Sequence, residues 1–362
     1  LPAARLLKLP LAREADRALL LGVLILADLL ATALLRLAGR SGHASPLLGV
    51  LGAVALAAEG GALAAGFAGS PLAERGVSAV VAGLCACGAA AALKTCPGLG
   101  LDAAAADFAA SASSWVARKG LLEELGGVFT GIGVEQLSRA LALPAGLLGG
   151  ALLGPALRAA RSYTFVMQAP LGKKRSEAPR GWQLACLHAG VAAPLFTALS
   201  WGFALWPDAA ATGLPGAKAG AGMGAGADIL AGVWVTTAVL QVLAMRPLTQ
   251  GFLDSSLSDW YAFAHLSAAD EQREGRLFDA RLKRNTGLIG KVAAQFLLLP
   301  LVMLTCGAVL FSNKAGAGDD RQGLLPASLA AAAAAFLGGW SATCWQASFC
   351  AFVILMRAGY LR

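Results

Sequence analysis

The chain of 362 residues is 57% hydrophobic and only 14% charged, whereas an average soluble domain carries about 25% charged residues. So little polar surface excludes a soluble fold, because the long apolar stretches would have nothing to cover them. The net charge of +8 would suit nucleic acid. The basic residues are not interleaved with aromatic ones, however, so we expect no nucleic-acid partner.

Eight apolar stretches follow one another along the chain, each near the length of about 20 residues that a helix needs to cross a bilayer. The expected spans are 18–35, 46–68, 76–93, 141–157, 182–206, 229–245, 292–311 and 329–356. The fold class predicted is an all-α, polytopic membrane helix bundle, forming a single transmembrane domain over 1–362. The lipid bilayer is therefore its first partner.

The segments between the spans differ in character. The stretch 102–139 places charged residues at helical spacing, which predicts an amphipathic helix lying at the membrane interface. The segment 207–228 is rich in glycine and alanine and is expected to be a flexible loop. The longest polar segment, 246–291, has an apolar helix face and is expected to be a cytosolic amphipathic segment. Arg158 and Arg161 are expected in the basic loop after the fourth span.

Lysine and arginine are sorted to one side of this arrangement. Most of the 29 lie in the set of segments that includes both termini. Cytoplasmic loops of membrane proteins are enriched in these residues, so we expect both ends of this chain to be cytosolic. The run Lys173, Lys174 and Arg175 could contact anionic lipid headgroups, although an ordinary basic loop explains it as well. Because the chain begins at Leu1 rather than Met, we expect the natural protein to extend further upstream.

Polar side chains inside the spans are the main candidates for function. Asp28 and Glu59 are carboxylates near the middle of the first and second spans, where a charge costs several kcal/mol by insertion scales. They could form a proton or cation site, or hydrogen-bond a neighbouring helix and fix packing. Gln241 and Gln295 could line a water-filled path with them, or make hydrogen bonds between helices. His188, near the start of the fifth span, is expected to be structural.

Two further patterns bear on packing and chemistry. Gly146, Gly150 and Gly154 form overlapping GxxxG steps, which let helix backbones approach closely, and we expect an intramolecular packing face. Neither HExxH, GxSxG nor a Walker A loop occurs, so we expect no enzyme activity and no cofactor. Cys85 and Cys87 have the wrong spacing for a zinc pair, so we expect no metal site.

Several local patterns, taken in order, resemble the transmembrane protein 161 family of eukaryotes. The most telling is Gln295 followed by the run from Leu299 to Leu304. The others are Glu74-Arg75 before an apolar span, the passage 150–163, Ala193-Pro194-Leu195-Phe196 followed by Trp201, Met245-Arg246, and the last span ending near Tyr360-Leu361. Their order covers nearly the whole chain.

The resemblance implies a multi-pass membrane protein of poorly defined biochemistry. Vertebrate members of the family are linked to cardiac rhythm, through potassium and calcium currents, and to neural development. This chain differs in its 207–228 loop and lacks the apolar segment that family members carry before the present first span. Two functions follow: regulation of ion currents through partners such as ion channels, or transport by a channel or proton-coupled carrier that uses Asp28 and Glu59.

Overall fold

The computed structural model describes residues 72–95, 134–168, 181–205, 224–264, 292–311 and 327–360. Each of these ranges is helical apart from the turn at residues 358–360, so the all-helical prediction is confirmed for this part of the chain. In order the helices are α1 (Leu72–Thr95), α2 (Val134–Gln168), α3 (Gly181–Leu205), α4 (Gly224–Ala264), α5 (Val292–Phe311) and α6 (Ala327–Arg357). The predicted spans 18–35 and 46–68 lie outside the described residues, and so does most of 102–139.

Five of these helices, α2 to α6, are long and apolar enough to cross a membrane, while α1 has a shorter apolar stretch at Val80–Leu93. They indicate an integral membrane protein. Hydrocarbon offers no hydrogen-bond partners to the backbone, and a helix satisfies nearly all of its own groups. Leucine and alanine, which dominate these segments, are also among the strongest helix formers.

Helix α5 is the most enclosed element of the bundle. In its apolar stretch 83% of the residues are buried, against 33% to 44% in the other four. Around it, α2 makes broad contacts with both α1 and α6, and α3 packs along α4. Smaller contacts join α3 to α6 and α2 to α4, so the described helices form one connected core.

Small residues set the distances between neighbouring helices. A methyl group placed on Gly146 of α2 would lie 2.5 Å from the Cβ of Ala86 and 2.7 Å from the carbonyl oxygen of Ala82, both on α1. A methyl group on Gly190 of α3 would lie 2.7 Å from the carbonyl oxygen of Leu240 on α4. Since these distances are shorter than a carbon atom tolerates, any larger side chain would force the helices apart.

Aromatic rings fill the space that glycines leave between α3, α4 and α6. The rings of Trp201 and Trp234 lie against Gly339 and Gly338 of α6, respectively. Trp201 also meets Phe336 edge to face, with ring centroids 5.9 Å apart. Close by, the buried hydroxyls of Thr197 and Thr237 share a 2.6 Å hydrogen bond between α3 and α4. Ring packing and one polar contact thus hold this half of the bundle together.

Two helices extend well beyond the expected spans. Helix α2 continues past residue 157 to Gln168, so the prediction that Arg158 and Arg161 lie in a loop is wrong. Helix α4 begins within 207–228 and runs 19 residues into 246–291, to Ala264. The predicted limits followed the loss of hydrophobicity, but a helix that leaves a bilayer keeps its backbone hydrogen bonds and does not end there.

Replacing Gly146 by alanine tests the close contact between α1 and α2. We expect Gly146→Ala to lower the free energy of unfolding by about 1–3 kcal/mol, because the added methyl group overlaps Ala86. The matched control is Gly83→Ala on α1, since a methyl group there meets nothing within 4 Å and the change favours the helix by up to about 1 kcal/mol. Thermal unfolding in detergent, followed by circular dichroism, measures both. Equal melting temperatures for the two variants would contradict the contact.

Candidate functional site

Polar side chains gather at the end of the bundle where α2, α4 and α6 finish and where α3 and α5 begin, called here the polar end. Arg158 of α2 reaches Gln295 in the first turn of α5. Tyr163 of α2 reaches His188 near the start of α3. Two of the four predicted polar residues, Gln241 and Gln295, lie in this region, whereas Asp28 and Glu59 lie outside the described residues.

The contact between Arg158 and Gln295 is the central polar interaction of this region. Arg158 Nη1 donates a hydrogen bond to Oε1 of Gln295, whose side chain is only 3% exposed. The guanidinium is half-buried, and a buried charge is costly unless polar groups surround it. Gln295 therefore supplies an amide oxygen to a charged partner and joins α2 to α5, as the hypothesis of an interhelical hydrogen bond requires.

Sequence reasoning missed Arg158 as a member of this site. The overlooked signal was the helical spacing that continues past it, with small or aromatic residues at positions 156, 159, 160 and 163. No glycine or proline interrupts the chain between residue 156 and the end of α2. A charge inside such a pattern belongs to a helix that is leaving the membrane.

A second polar contact joins α2 to α3. The Tyr163 hydroxyl lies 3.3 Å from Nδ1 of His188, whose side chain is exposed, and either atom can donate according to the histidine tautomer. The two rings meet edge to face at 5.8 Å, and Tyr163 meets Phe349 of α6 at 5.7 Å. Tyr163 thus contacts two neighbouring helices, so His188 has a structural partner.

Gln241 lines a small cavity where α2 to α6 meet. The cavity has a volume of about 20 Å³ and is lined by Gln241 and by eight other residues: Ala159, Gly190, Val191, Ala244, Leu248, Phe296, Leu299 and Trp345. The Gln241 side chain is 7% exposed, and within the described ranges no donor reaches its Oε1. The volume suits one water molecule, which would need such a polar partner. The site can hold one small neutral molecule beside an amide oxygen.

The structure places the other predicted residues in different surroundings. Gly146 lies at the α1–α2 contact, Gly150 is buried, and Gly154 is half-buried. Gly149, which the GxxxG pattern omits, also faces α1. The basic run Lys173, Lys174 and Arg175 lies outside the described residues. In the described ranges, no three His, Cys, Asp or Glu side chains come together as a metal site would require.

Compared with protein-family models, with curated proteins and with solved structures, the chain matches none. The resemblance to the transmembrane protein 161 family stays a prediction that depends on the residues quoted above.

A double-mutant cycle on Arg158 and Gln295 tests the central polar contact. We expect Gln295→Leu to cost about 1.5–3 kcal/mol of unfolding free energy, because it leaves a half-buried guanidinium without this acceptor. The coupling with Arg158→Ala should be about 1 kcal/mol, in the range found for polar pairs in membranes. Reversible unfolding in mixed micelles gives the four values. Arg161→Ala is the control, since that exposed neighbour should show no coupling with Gln295; a zero value for Arg158 would refute the contact.

Proposed function

We propose that this integral membrane protein regulates ion currents through protein partners that bind where α4 leaves the membrane. One observation supports this most directly: an apolar span and a polar segment belong to the same continuous helix. Helix α4 runs for 41 residues, or about 60 Å at 1.5 Å per residue. A bilayer core is about 30 Å thick, so roughly half of this helix extends into other surroundings.

The polar part of α4 is attached to the bundle on one side. A methyl group on Gly251 would lie 2.6 Å from Cγ2 of Val166 and 3.0 Å from the carbonyl oxygen of Ser162, both on α2. Leu248 is buried on the same side and lines the cavity beside Gln241. Helices α2 and α4 therefore remain in contact beyond Arg158, and a force on one is passed to the other.

The opposite side of α4 offers polar atoms to a partner. Arg246 and Gln250 are exposed, and Gln250 Nε2 donates a 2.9 Å hydrogen bond to Asp254 Oδ1. A protein bound to this face would contact a helix whose other side packs against α2. In this proposal, binding changes the position of α4 relative to α2, and this change alters how readily the partner channel opens.

The partner face lies in the cytosol in this proposal. Arg161 near the end of α2, Arg246 within α4 and Arg357 at the end of α6 are exposed. They lie toward the side that the sorting of lysine and arginine assigns to the cytosol. Anionic lipid headgroups would meet the same basic residues. The resemblance to the transmembrane protein 161 family supports the proposal that the regulated currents are those of potassium and calcium.

A transporter or channel that uses Asp28 and Glu59 is the alternative. The observation in its favour is the amide oxygen of Gln241, which has no hydrogen-bond donor among the described residues and lies in a cavity where five helices meet. A volume of about 20 Å³ suits one water, whereas an ion moving through a protein needs a succession of polar partners. The cavity therefore supports this function less strongly than the length of α4 supports regulation.

Recording currents in cells and fluxes in liposomes distinguishes the two functions. Expression in cells should change whole-cell potassium or calcium currents, while the purified chain alone in proteoliposomes should carry no ion or proton flux. Arg246→Glu combined with Gln250→Lys should remove most of the change, because it reverses one charge and replaces the Gln250 amide on the partner face. A loss of about 1.4 kcal/mol weakens binding tenfold. The control is Leu243→Ala, an exposed apolar position on the same helix.

Two results would contradict regulation through α4. One is equal loss of the current change in the Leu243→Ala control and in the Arg246→Glu, Gln250→Lys variant at matched expression. The other is flux by the purified chain that disappears in the folded double variant Asp28→Asn, Glu59→Gln. That second result would identify a transporter or channel and place its site at those carboxylates.

A further inference from the structure

Two cysteines that are far apart in the sequence meet inside the bundle. Cys85 lies on α1 and Cys344 on α6, and their sulfur atoms are 3.9 Å apart across a separation of 259 residues. Both side chains are half-buried. Among the described cysteines, this is the pair whose sulfur atoms are in contact; Cys87 and Cys350 are exposed instead.

Helix α2 leaves room for this pair. A methyl group on Gly149 would lie 2.8 Å from Sγ of Cys85 and 3.4 Å from Sγ of Cys344. The absence of a side chain there lets both sulfur atoms occupy the junction of α1, α2 and α6. A disulfide bond requires a sulfur separation of about 2.0 Å. Closing the remaining distance requires the two side chains to rotate toward each other between staggered positions.

We propose that Cys85 and Cys344 are a site of reversible disulfide formation that ties α1 to α6. Two S–H bonds break and one S–S bond forms, and the pair gives up two electrons and two protons. The oxidant is a lipid-soluble quinone, which takes up both electrons and both protons and becomes the hydroquinone. A dithiol reverses the reaction by thiol–disulfide exchange, forming its own disulfide as it restores the two thiols.

The surroundings of the two thiols select this class of oxidant. Both cysteines lie within apolar helices, where an oxidant that dissolves in lipid is more concentrated than one confined to water. A quinone dissolves in the bilayer around these helices, and the pair is only half-buried. Exposed thiols such as Cys87 and Cys350 have no sulfur neighbour within the described residues, so quinone should not link them within one chain.

The bond would change how the described helices can move. Within the described part of the chain, α1 packs mainly on α2 and reaches α6 through Gly88 and Trp340 as well as through the cysteines. A covalent link between α1 and α6 holds α2 between them at Gly149. Oxidation should therefore prevent α1 from separating from the bundle, and reduction should restore that freedom.

Peptide mapping of the full chain in liposomes tests the site. The oxidant is a short-chain benzoquinone that is fully substituted on its ring, so that it does not capture thiols by conjugate addition. Treatment followed by alkylation, digestion and mass spectrometry should give one linked peptide pair containing Cys85 and Cys344. Two of the seven thiols should be lost, and a dithiol should return them. Cys87→Ser and Cys350→Ser are matched controls that keep the link, while Cys85→Ser and Cys344→Ser each abolish it. Gly149→Ala should slow its formation.

The melting temperature provides a second readout that does not depend on mapping. Quinone should raise the melting temperature of the native chain, dithiol should lower it again, and Cys85→Ser should show no shift while melting near the reduced native chain. Linked peptides that join other cysteines, or unchanged thiols and melting temperature after quinone treatment, would overturn the proposal.

Discussion

In a bilayer, helices associate through packing and polar contacts, because lipid tails are as apolar as the side chains they would replace. The described bundle depends on this constraint. Gly146 brings α2 against Ala82 and Ala86 of α1, and Gly190 brings α3 against the backbone of α4. The close contact of α1 with α2 also brings the sulfur atom of Cys85 beside Gly149, where it meets that of Cys344 on α6.

Hydrogen bonds between polar side chains add to this helix packing at a few positions. Away from the polar end, one hydrogen bond between Thr197 and Thr237 accompanies a cluster of aromatic rings. At the polar end, Arg158 bonds Gln295 and Tyr163 bonds His188, where α2 and α4 pass out of the apolar region. The same helices thus combine a tightly packed membrane part with a polar part, which is the basis for proposing regulation through α4.

The sequence predicts a membrane helix well when the apolar run and the helix end at the same place. The expected span 292–311 covers the described part of α5, where the apolar run begins directly after Lys291 and stops before Ser312. The sequence did not predict the ends of α2 and α4, because loss of hydrophobicity marks the membrane boundary and not the end of a helix. The 41 residues of α4 therefore appeared as three separate segments.

The candidate site was predicted only in part, for a different reason. The type and placement of Gln241 and Gln295 marked them as interhelical polar residues. The partner of Gln295, however, is 137 residues away, and Cys85 and Cys344 are 259 residues apart. Residue spacing predicts neighbours along one helix but carries no information on which helices pack together. Those pairs required the three-dimensional arrangement.

A distance between two labels on α4 tests whether one continuous helix joins the membrane span to the polar segment, across Pro247. Gly232 and Gln250 are both exposed, and they lie five helical turns apart on the same side, or about 27 Å. Spin labels on unnatural amino acids at these positions, measured by double electron–electron resonance in liposomes, should give one narrow distribution near that value. A broad distribution, or one centred well below it, would show that the helix bends or breaks between them, so that the span and the polar segment are not one continuous helix.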